Sequence, residues 1–230
     1  MTKANGSKPH YLGHRRRLRD RYVRGGIDSL NDYEAVELLL TFVHSRRDVK
    51  PQANDLLGRF DGIRGLLDAG MDDLIGVGGV GRQTAILIKL ARDFVELYMR
   101  ETLLERQVVR CPDDIIDYLR ISVGSLKDER FMTLFLNARN EIVAFEVVSE
   151  GTVNSTVVYP RKIFENALRH KATAMILVHN HPSGSLKVSA DDIKLTKNLK
   201  RTAETLGIVI HDHLIVTNDD YVSLSQKGLI

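Results

Sequence analysis

Two different periodicities divide the hydrophobic and polar positions of this chain of 230 residues. Up to about residue 106 the apolar side chains recur at helical spacing, for example over residues 33–40, where Asn31 and Asp32 can cap the N-terminal end. The shorter apolar segments that follow are separated by glycines. The pattern predicts an all-helical domain over residues 1–106.

From residue 107 onward, short apolar runs alternate with polar turns, as in a domain that contains both strands and helices. The predicted strands lie near residues 130–136, 141–149, 152–158, 173–178, 208–217 and 221–224. The predicted helices begin at about residue 112, at Pro160 and at Ser189. Because helices interleave with strands and some strands form hairpins, residues 107–230 are expected to form an α/β domain with a mixed sheet flanked by helices.

One of these strands leads directly into reactive side chains. The apolar run 173–178 ends at His179, and His181 should share a face with it because side chains alternate along a strand. Pro182-Ser183-Gly184 predicts a turn, and the helix after it would bring Asp192 back toward the two histidines. Two imidazoles and a carboxylate, with a fourth position left for water, are typical of a catalytic zinc site.

Part of this pattern has an interpretation that needs no metal. Ser189 and Asp192 also fit a helix N-terminus, with Ser189 as the N-cap and Asp192 as the carboxylate of a capping box. The two roles are compatible, since the cap fixes the start of the helix that aims Asp192. Whether the Ser189 hydroxyl serves chemistry or only capping stays open at this point.

The spacing H-x-H-x7-S-x-x-D is filled by four residues: His179, His181, Ser189 and Asp192. It resembles the metal-binding motif of the JAB/MPN (JAMM) superfamily. The run HNHPSG, with Gly-Thr-Val-Asn at 151–154, Tyr-Pro-Arg at 159–161 and Asp-His-Leu at 212–214, is similar to the RadC branch over about residues 110–230. That branch usually has a proline before the serine, where this chain has Val188.

The resemblance implies a JAB/MPN (cytidine-deaminase-like) fold and a zinc-dependent hydrolase of the metalloprotease or isopeptidase type. It further implies a glutamate on an early strand that acts as general base. Glu129 matches that position, and Glu150 is the alternative. Glu129 would take a proton from zinc-activated water and return it to the leaving amine, while Ser189 would donate a hydrogen bond to the developing oxyanion.

A second H-x-H, His211-Asp212-His213, lies within the apolar run 208–216. No third ligand follows at a workable distance, so a separate metal site is not expected. Instead, Asp212 or His213 would support the first site by accepting the free N–H of a ligating imidazole. A hydrogen-bonded pair in the core is the alternative.

In the N-terminal domain, Gly76-x-Gly78-x-x-Gly81 formally matches a dinucleotide-binding fingerprint. The fingerprint requires a preceding strand, whereas residues 71–75 predict a helical turn, so we reject it. The segment instead resembles the helix-hairpin-helix motif, whose backbone N–H groups hold a DNA phosphate. The predicted contacts are Gly79, Gly81, Arg82 and Lys89, and a purely structural hairpin is the alternative.

Positive charge is concentrated at the N-terminus of the chain. Residues 1–24 contain eight Lys or Arg and a single acid, Asp20, which suits contacts with phosphates. A basic helix that only packs on its domain is the alternative. The absence of a long apolar run or a secretory segment and the single cysteine, Cys111, predict a cytoplasmic protein without a membrane span.

The resemblance implies a zinc hydrolase that acts on a peptide or isopeptide substrate. The basic N-terminal segment and the hairpin-like segment predict that the N-terminal domain brings this hydrolase to DNA. The family's customary association with DNA repair makes a metal-dependent nuclease or a non-catalytic DNA-binding adaptor the alternatives. A nuclease site commonly uses two metals bridged by several carboxylates, and only Asp192 is placed here. A nucleobase deaminase is excluded, because it needs P-C-x-x-C and the chain has one cysteine.

Overall fold

The computed structural model describes residues 10–45, 47–106, 108–150 and 158–230. The chain divides into two compact units, of which the first ends at Phe94 and the second begins at Val95. This division lies inside one long helix, whereas the change from helical to mixed structure follows the end of that helix at Arg106. The last turns of the helix belong to the second unit because Leu103 is buried in its core.

The described part of the first unit is helical, as predicted. Its helices are α1 (His10–Gly25), α2 (Asp32–Leu40), α3 (Lys50–Phe60), α4 (Ile63–Asp68), α5 (Met71–Ile75) and the start of α6 (Arg82–Arg106), with a 3₁₀ turn at Ile27–Ser29. The core of this unit includes Leu40, Leu56, Leu74 and Ile88, each fully buried. The predicted cap of α2 is present, since the Asn31 N–H donates to Glu34 Oε2 at 3.0 Å.

The second unit contains the predicted mixed sheet. Its strands are β1 (Arg130–Leu136), β2 (Ile142–Glu150), β3 (Ala174–Asn180), β4 (Val209–Val216) and β5 (Tyr221–Ser223). Their order is β2-β1-β3-β4-β5. The pair β3–β4 is parallel and the other pairs are antiparallel. The strand predicted near 152–158 lies, except for its last residue, outside the described residues.

Helices cover both faces of this sheet. On one face Leu134, Ile176 and Leu214 pack with α7 (Ile116–Leu119). On the other face Phe135 and Leu177 pack with α8 (Pro160–Arg169) and α9 (Ala190–Thr205). Because side chains alternate along β3, its odd-numbered residues face α8 and α9. His179 is therefore on the α8/α9 face.

The helix predicted from about residue 112 is broken into short pieces. A 3₁₀ turn at Pro112–Asp114 is followed by α7 and by a π-helical turn at Arg120–Gly124. Gly124 lies so close to the residue that follows β4 that an added Cβ would meet the Thr217 carbonyl oxygen at 2.7 Å. Among the described helices, none combines the length and apolar character that crossing a membrane requires.

Candidate metal centre

The carboxyl end of β3 brings two imidazoles together. His179 is buried and His181 is half-buried just beyond the strand, and their Nε2 atoms lie 2.9 Å apart. This follows from the regular alternation of β3, which is buried along its whole length. The predicted common face of the two histidines is therefore present.

Asp192 approaches the same point from the first turn of α9. Its Oδ2 accepts the Ser189 N–H at 2.8 Å and the Ser189 hydroxyl at 2.6 Å, and the Ser189 Oγ accepts the Asp192 N–H at 3.0 Å. These contacts form a capping box. The other oxygen, Oδ1, lies 3.4 Å from His179 Nε2. One carboxylate thus caps the helix through one oxygen and faces the histidines with the other.

Three side chains here could hold one metal ion, since His179, His181 and Asp192 offer ligand atoms that all lie within 4.8 Å of one another. The His181 Nδ1 lies 2.6 Å from the Ser185 carbonyl oxygen, which can only accept, so Nδ1 carries the proton. In a neutral ring this leaves a lone pair on Nε2, directed at the shared point. Imidazole nitrogen and carboxylate oxygen are typical ligands of zinc, and the donor set fits such an ion.

Glu129 lies immediately before β1, on the same side of the site as His181. Both line an open cleft of about 550 Å³, whose other lining residues are Lys127, Pro182, Ser183, Ser185 and Lys187. Partial burial raises the pKa of Glu129, and the negative charge of Asp192 adds to this rise. Glu150 ends β2, where its backbone is paired with Arg130.

Asn180, the residue between the two histidines, has a role that sequence reasoning missed. It is fully buried, its Oδ1 accepts the Arg130 N–H at 2.7 Å, and its Nδ2 donates to the Asp128 carbonyl at 3.1 Å. These bonds hold the backbone on both sides of Glu129. The available signal was a single amide in an otherwise apolar strand, pointing away from the histidines.

The second H-x-H lies on β4, next to β3, and its two histidines are separated by a β-bulge. Met175 pairs with Ile210 but Ile176 pairs with Asp212, so His211 is an extra residue. His213 then pairs with Leu177 and faces the α8/α9 side. His211 stays exposed, where its Nε2 lies 2.9 Å from Asn140 Oδ1.

His213, and not Asp212, supports the candidate centre. The His213 Nε2 lies 2.8 Å from the His179 Nδ1, and its Nδ1 lies 2.6 Å from the Thr196 Oγ1. Complete burial, together with the neighbouring His179 and His181, lowers the pKa of His213 well below its usual value. Burial likewise lowers the pKa of His179 to about 4, against the opposing effect of Asp192. Both rings are therefore neutral at pH 7.

Asp212 turns to the opposite face of the sheet. Its carboxylate accepts the Ser223 hydroxyl, the Ser225 N–H at 3.0 Å and the His213 N–H at 2.7 Å. These bonds tie the end of β5 to β4. The carboxylate that was one candidate for holding a ligating imidazole instead fixes the bulged strand.

In the first unit, α5 precedes the glycine-rich segment where a dinucleotide fingerprint would require a strand. Gly79 adopts φ 78, a left-handed conformation that favours glycine, and α6 begins at Arg82. The Gly79 carbonyl accepts from Gln52 Nε2 at 3.2 Å. The Lys89 ammonium donates to the Leu67 and Ala69 carbonyls at 3.1 Å each, so it is engaged at the end of α4.

Several arginines of the basic segment are exposed on α1. Arg16, Arg17, Arg19 and Arg24 are exposed, whereas Arg15 is buried and donates to the Ser45 carbonyl. Arg21 pairs with Glu34, which lowers the pKa of that carboxyl. Lys3 and Lys8 lie outside the described residues. Exposed Gly81 and Arg82 complete the set of predicted phosphate contacts.

A mixed sheet flanked by helices, with the two histidines at the end of one strand and the aspartate at the start of the next helix, defines a JAB-type domain with a candidate metal centre. A family model described as "RadC-like JAB domain" matches residues 109–229, more than half of the chain. The chain belongs to this family. The predicted resemblance over about residues 110–230 is confirmed, and the match does not extend to the helical unit.

Proposed function

We propose that this chain is a zinc-dependent hydrolase of the metalloprotease or isopeptidase type, acting on an amide or isopeptide bond. The observation that carries the proposal is the convergence of His179 Nε2, His181 Nε2 and Asp192 Oδ1 at one point beside an open cleft. Glu129 lines the same cleft. A ligand set and a base on one accessible surface are what metal-assisted hydrolysis requires.

The residues divide the work as follows. When bound, a zinc ion supplies Lewis acidity, which acidifies water and polarises the carbonyl group of a substrate. The Glu129 carboxylate takes up a proton from water and returns it to the leaving amine, and a pKa raised by burial suits both steps. The Ser189 hydroxyl donates to Asp192 Oδ2, so its role in this scheme is to hold Asp192. An oxyanion contact would require that proton to turn away.

Neighbouring acids on α9 provide a matched test. Asp192→Ala removes a proposed ligand, and Asp191→Ala removes an exposed carboxylate from the same helical turn. We expect stoichiometric zinc and metal-dependent cleavage of peptide or isopeptide bonds in the unaltered protein and in Asp191→Ala, with both lost in Asp192→Ala. Metal-dependent nicking of DNA without amide cleavage would favour a nuclease, and failure to retain zinc would favour an adaptor.

We also propose that the helical unit binds DNA through its phosphates. The supporting observations are the exposed Arg17 and Arg24 on α1 and the exposed Arg82 at the start of α6. Cations that neutralise phosphates release counterions, so affinity should fall linearly with salt on a logarithmic scale. Each of these three side chains that contacts a phosphate reduces the slope by about 1 when it is replaced by glutamine.

Fluorescence anisotropy with duplexes of unrelated sequence at several salt concentrations measures this slope. Arg201→Gln, an exposed arginine on α9, is the control and should leave the slope unchanged. Salt-independent binding, or equal slopes in all variants, would contradict the proposal.

A further inference from the structure

Three buried side chains form a continuous hydrogen-bonded row behind the candidate metal centre. His179 on β3 contacts His213 on β4 at 2.8 Å, and His213 contacts Thr196 on α9 at 2.6 Å. His213 and Thr196 are fully buried, and His179 is 2% exposed. Because the three side chains are buried and contact one another, each proton has few possible positions, and the donor and acceptor of each hydrogen bond can be assigned.

The hydroxyl of Thr196 on α9 has a fixed acceptor. The Thr196 Oγ1 lies 2.6 Å from the carbonyl oxygen of Asp192, one turn earlier in α9. A carbonyl oxygen can only accept a hydrogen bond, so the single hydroxyl proton of Thr196 is donated to it. The hydroxyl oxygen is then the acceptor in its other contact, and His213 Nδ1 must be the donor.

The protons of the two imidazole rings follow from this donor. A neutral imidazole carries one proton, so His213 with its proton on Nδ1 has a lone pair on Nε2. That lone pair accepts a hydrogen bond from the nitrogen it faces, so His179 carries its proton on Nδ1. His179 in turn has its lone pair on Nε2, the atom that lies 2.9 Å from His181 Nε2 and 3.4 Å from Asp192 Oδ1.

We propose that Thr196 is a positioning residue that fixes the tautomer of His179 through His213, and so decides which nitrogen of His179 is free to bind a metal. The proposal rests on the metal site of the proposed function but not on what the protein cuts. In this proposal one turn of α9 has two functions: Asp192 is itself a proposed ligand, and Thr196 sets the orientation of the proposed ligand His179. Support of this kind typically changes metal affinity by 10–100-fold.

Replacing Thr196 by valine keeps the shape of the side chain but removes the hydroxyl. The His213 Nδ1–H then has no acceptor, and the ring gains by moving its proton to Nε2. That proton would face His179 Nδ1 and force the His179 proton onto Nε2, where the metal binds. We therefore expect Thr196→Val to weaken zinc binding by about 10–100-fold, whereas Thr196→Ser, which retains the hydroxyl, should restore the affinity.

Two measurements on the full chain test this. Competition with a chromophoric chelator gives the zinc affinity of the unaltered protein and both variants. Long-range ¹H–¹⁵N NMR of protein labelled in its histidines shows which ring nitrogens carry protons. We expect protonated Nδ1 and unprotonated Nε2 on both His179 and His213, the same pattern in Thr196→Ser, and a changed pattern in Thr196→Val.

The spectrum of the unaltered metal-free protein decides the matter even if Thr196→Val fails to fold. A proton on His213 Nε2 would overturn the proposal, as would a Thr196→Val protein with unchanged tautomers and unchanged zinc affinity. The tautomers can be read without any substrate, so a protein that cleaves no amide bond but shows the expected spectrum would refute the proposed function and support this inference.

Discussion

The chain carries the pattern H-x-H on two neighbouring parallel strands, and the two copies do different things. On β3 the strand is regular, so His179 and His181 share a face and converge with Asp192. On β4 a bulge at His211 turns its two histidines apart, so only His213 reaches the α8/α9 face. The same sequence pattern thus gives a candidate ligand pair on one strand and a residue that contacts this pair on the other.

The polar partners of the rings explain the division of labour. His181 donates a hydrogen bond from its Nδ1–H to a backbone carbonyl, which leaves the lone pair of Nε2 for a metal ion. Both nitrogens of His213 are occupied, one by His179 and one by Thr196. An H-x-H pattern therefore indicates a metal site only where the surrounding contacts leave a nitrogen lone pair exposed at a shared point.

The largest expected effect comes from removing one histidine of the first motif, with removal of one histidine of the second motif as the control. His181→Ala removes one of three ligands, and we expect zinc affinity to fall more than about 100-fold, beyond the range for residues that only support a ligand. His211→Ala removes an exposed ring and should leave zinc content and amide cleavage unchanged. Elemental analysis after dialysis measures this difference. Equal zinc loss in both variants would mean that the second motif also contributes a ligand.

Glu129→Gln should distinguish the role of the proposed base from the roles of the proposed ligands. We expect the cleavage rate to fall by about 10²–10⁴ while the bound zinc is retained, because a general base contributes a factor of that size. In the unaltered protein the rate should rise with pH as Glu129 loses its proton. Burial raises its pKa, so this limb should lie above the range of an ordinary glutamate. If Glu129→Gln retains full activity, Glu150 becomes the residue to test.

The orientation of the side chains on β3 could be predicted from the sequence, whereas the orientation of those on β4 could not. Alternation along the continuous apolar strand predicts that His179 and His181 share a face, and their Nε2 atoms lie 2.9 Å apart in the structure. The bulge at His211 depends on pairing between β3 and β4, which no local pattern encodes. Regular alternation would have put His213 on the same face as His211 and away from His179.

The contacts of Asn180 and Thr196 were missed for a related reason. Asn180 binds the backbone of residues 128 and 130, about fifty positions earlier in the chain. Thr196 is a small polar residue in the second turn of α9, and its importance depends on its contact with the ring of His213 on β4. The candidate ligands can be predicted from their spacing in the sequence, but the residues that orient them depend on tertiary packing.

A third prediction tests the middle residue of the first motif. Asn180→Ala removes the bonds that hold the backbone on either side of Glu129 and leaves the Arg130 N–H without its acceptor. We expect the cleavage rate to fall by about 10–100-fold, in keeping with the cost of misplacing a reacting group by about 1 Å. Zinc affinity should change little, because the ring partners of both histidines are intact. A rate loss matched by an equal loss of zinc would contradict a role confined to Glu129.

The smallest effect on the site is expected from the middle residue of the second motif. Asp212→Ala leaves the Ser223 hydroxyl and the Ser225 and His213 N–H groups without their acceptor. We expect a loss of about 1–3 kcal/mol in the free energy of unfolding of the metal-free protein. Asp212 also lines a pocket of about 430 Å³, so water can partly replace its oxygens and keep the loss within this range.

Thermal unfolding followed by circular dichroism measures this loss as a decrease in Tm of about 2–4 °C for each kcal/mol. Zinc content and cleavage rate, measured well below the new Tm, should stay close to those of the unaltered protein. This would set Asp212 apart from Asn180, since each holds a neighbouring segment but only the segment held by Asn180 carries the proposed base, Glu129. A rate loss in Asp212→Ala as large as that in Asn180→Ala would show that the bulge contributes to the site through more than the placement of His213.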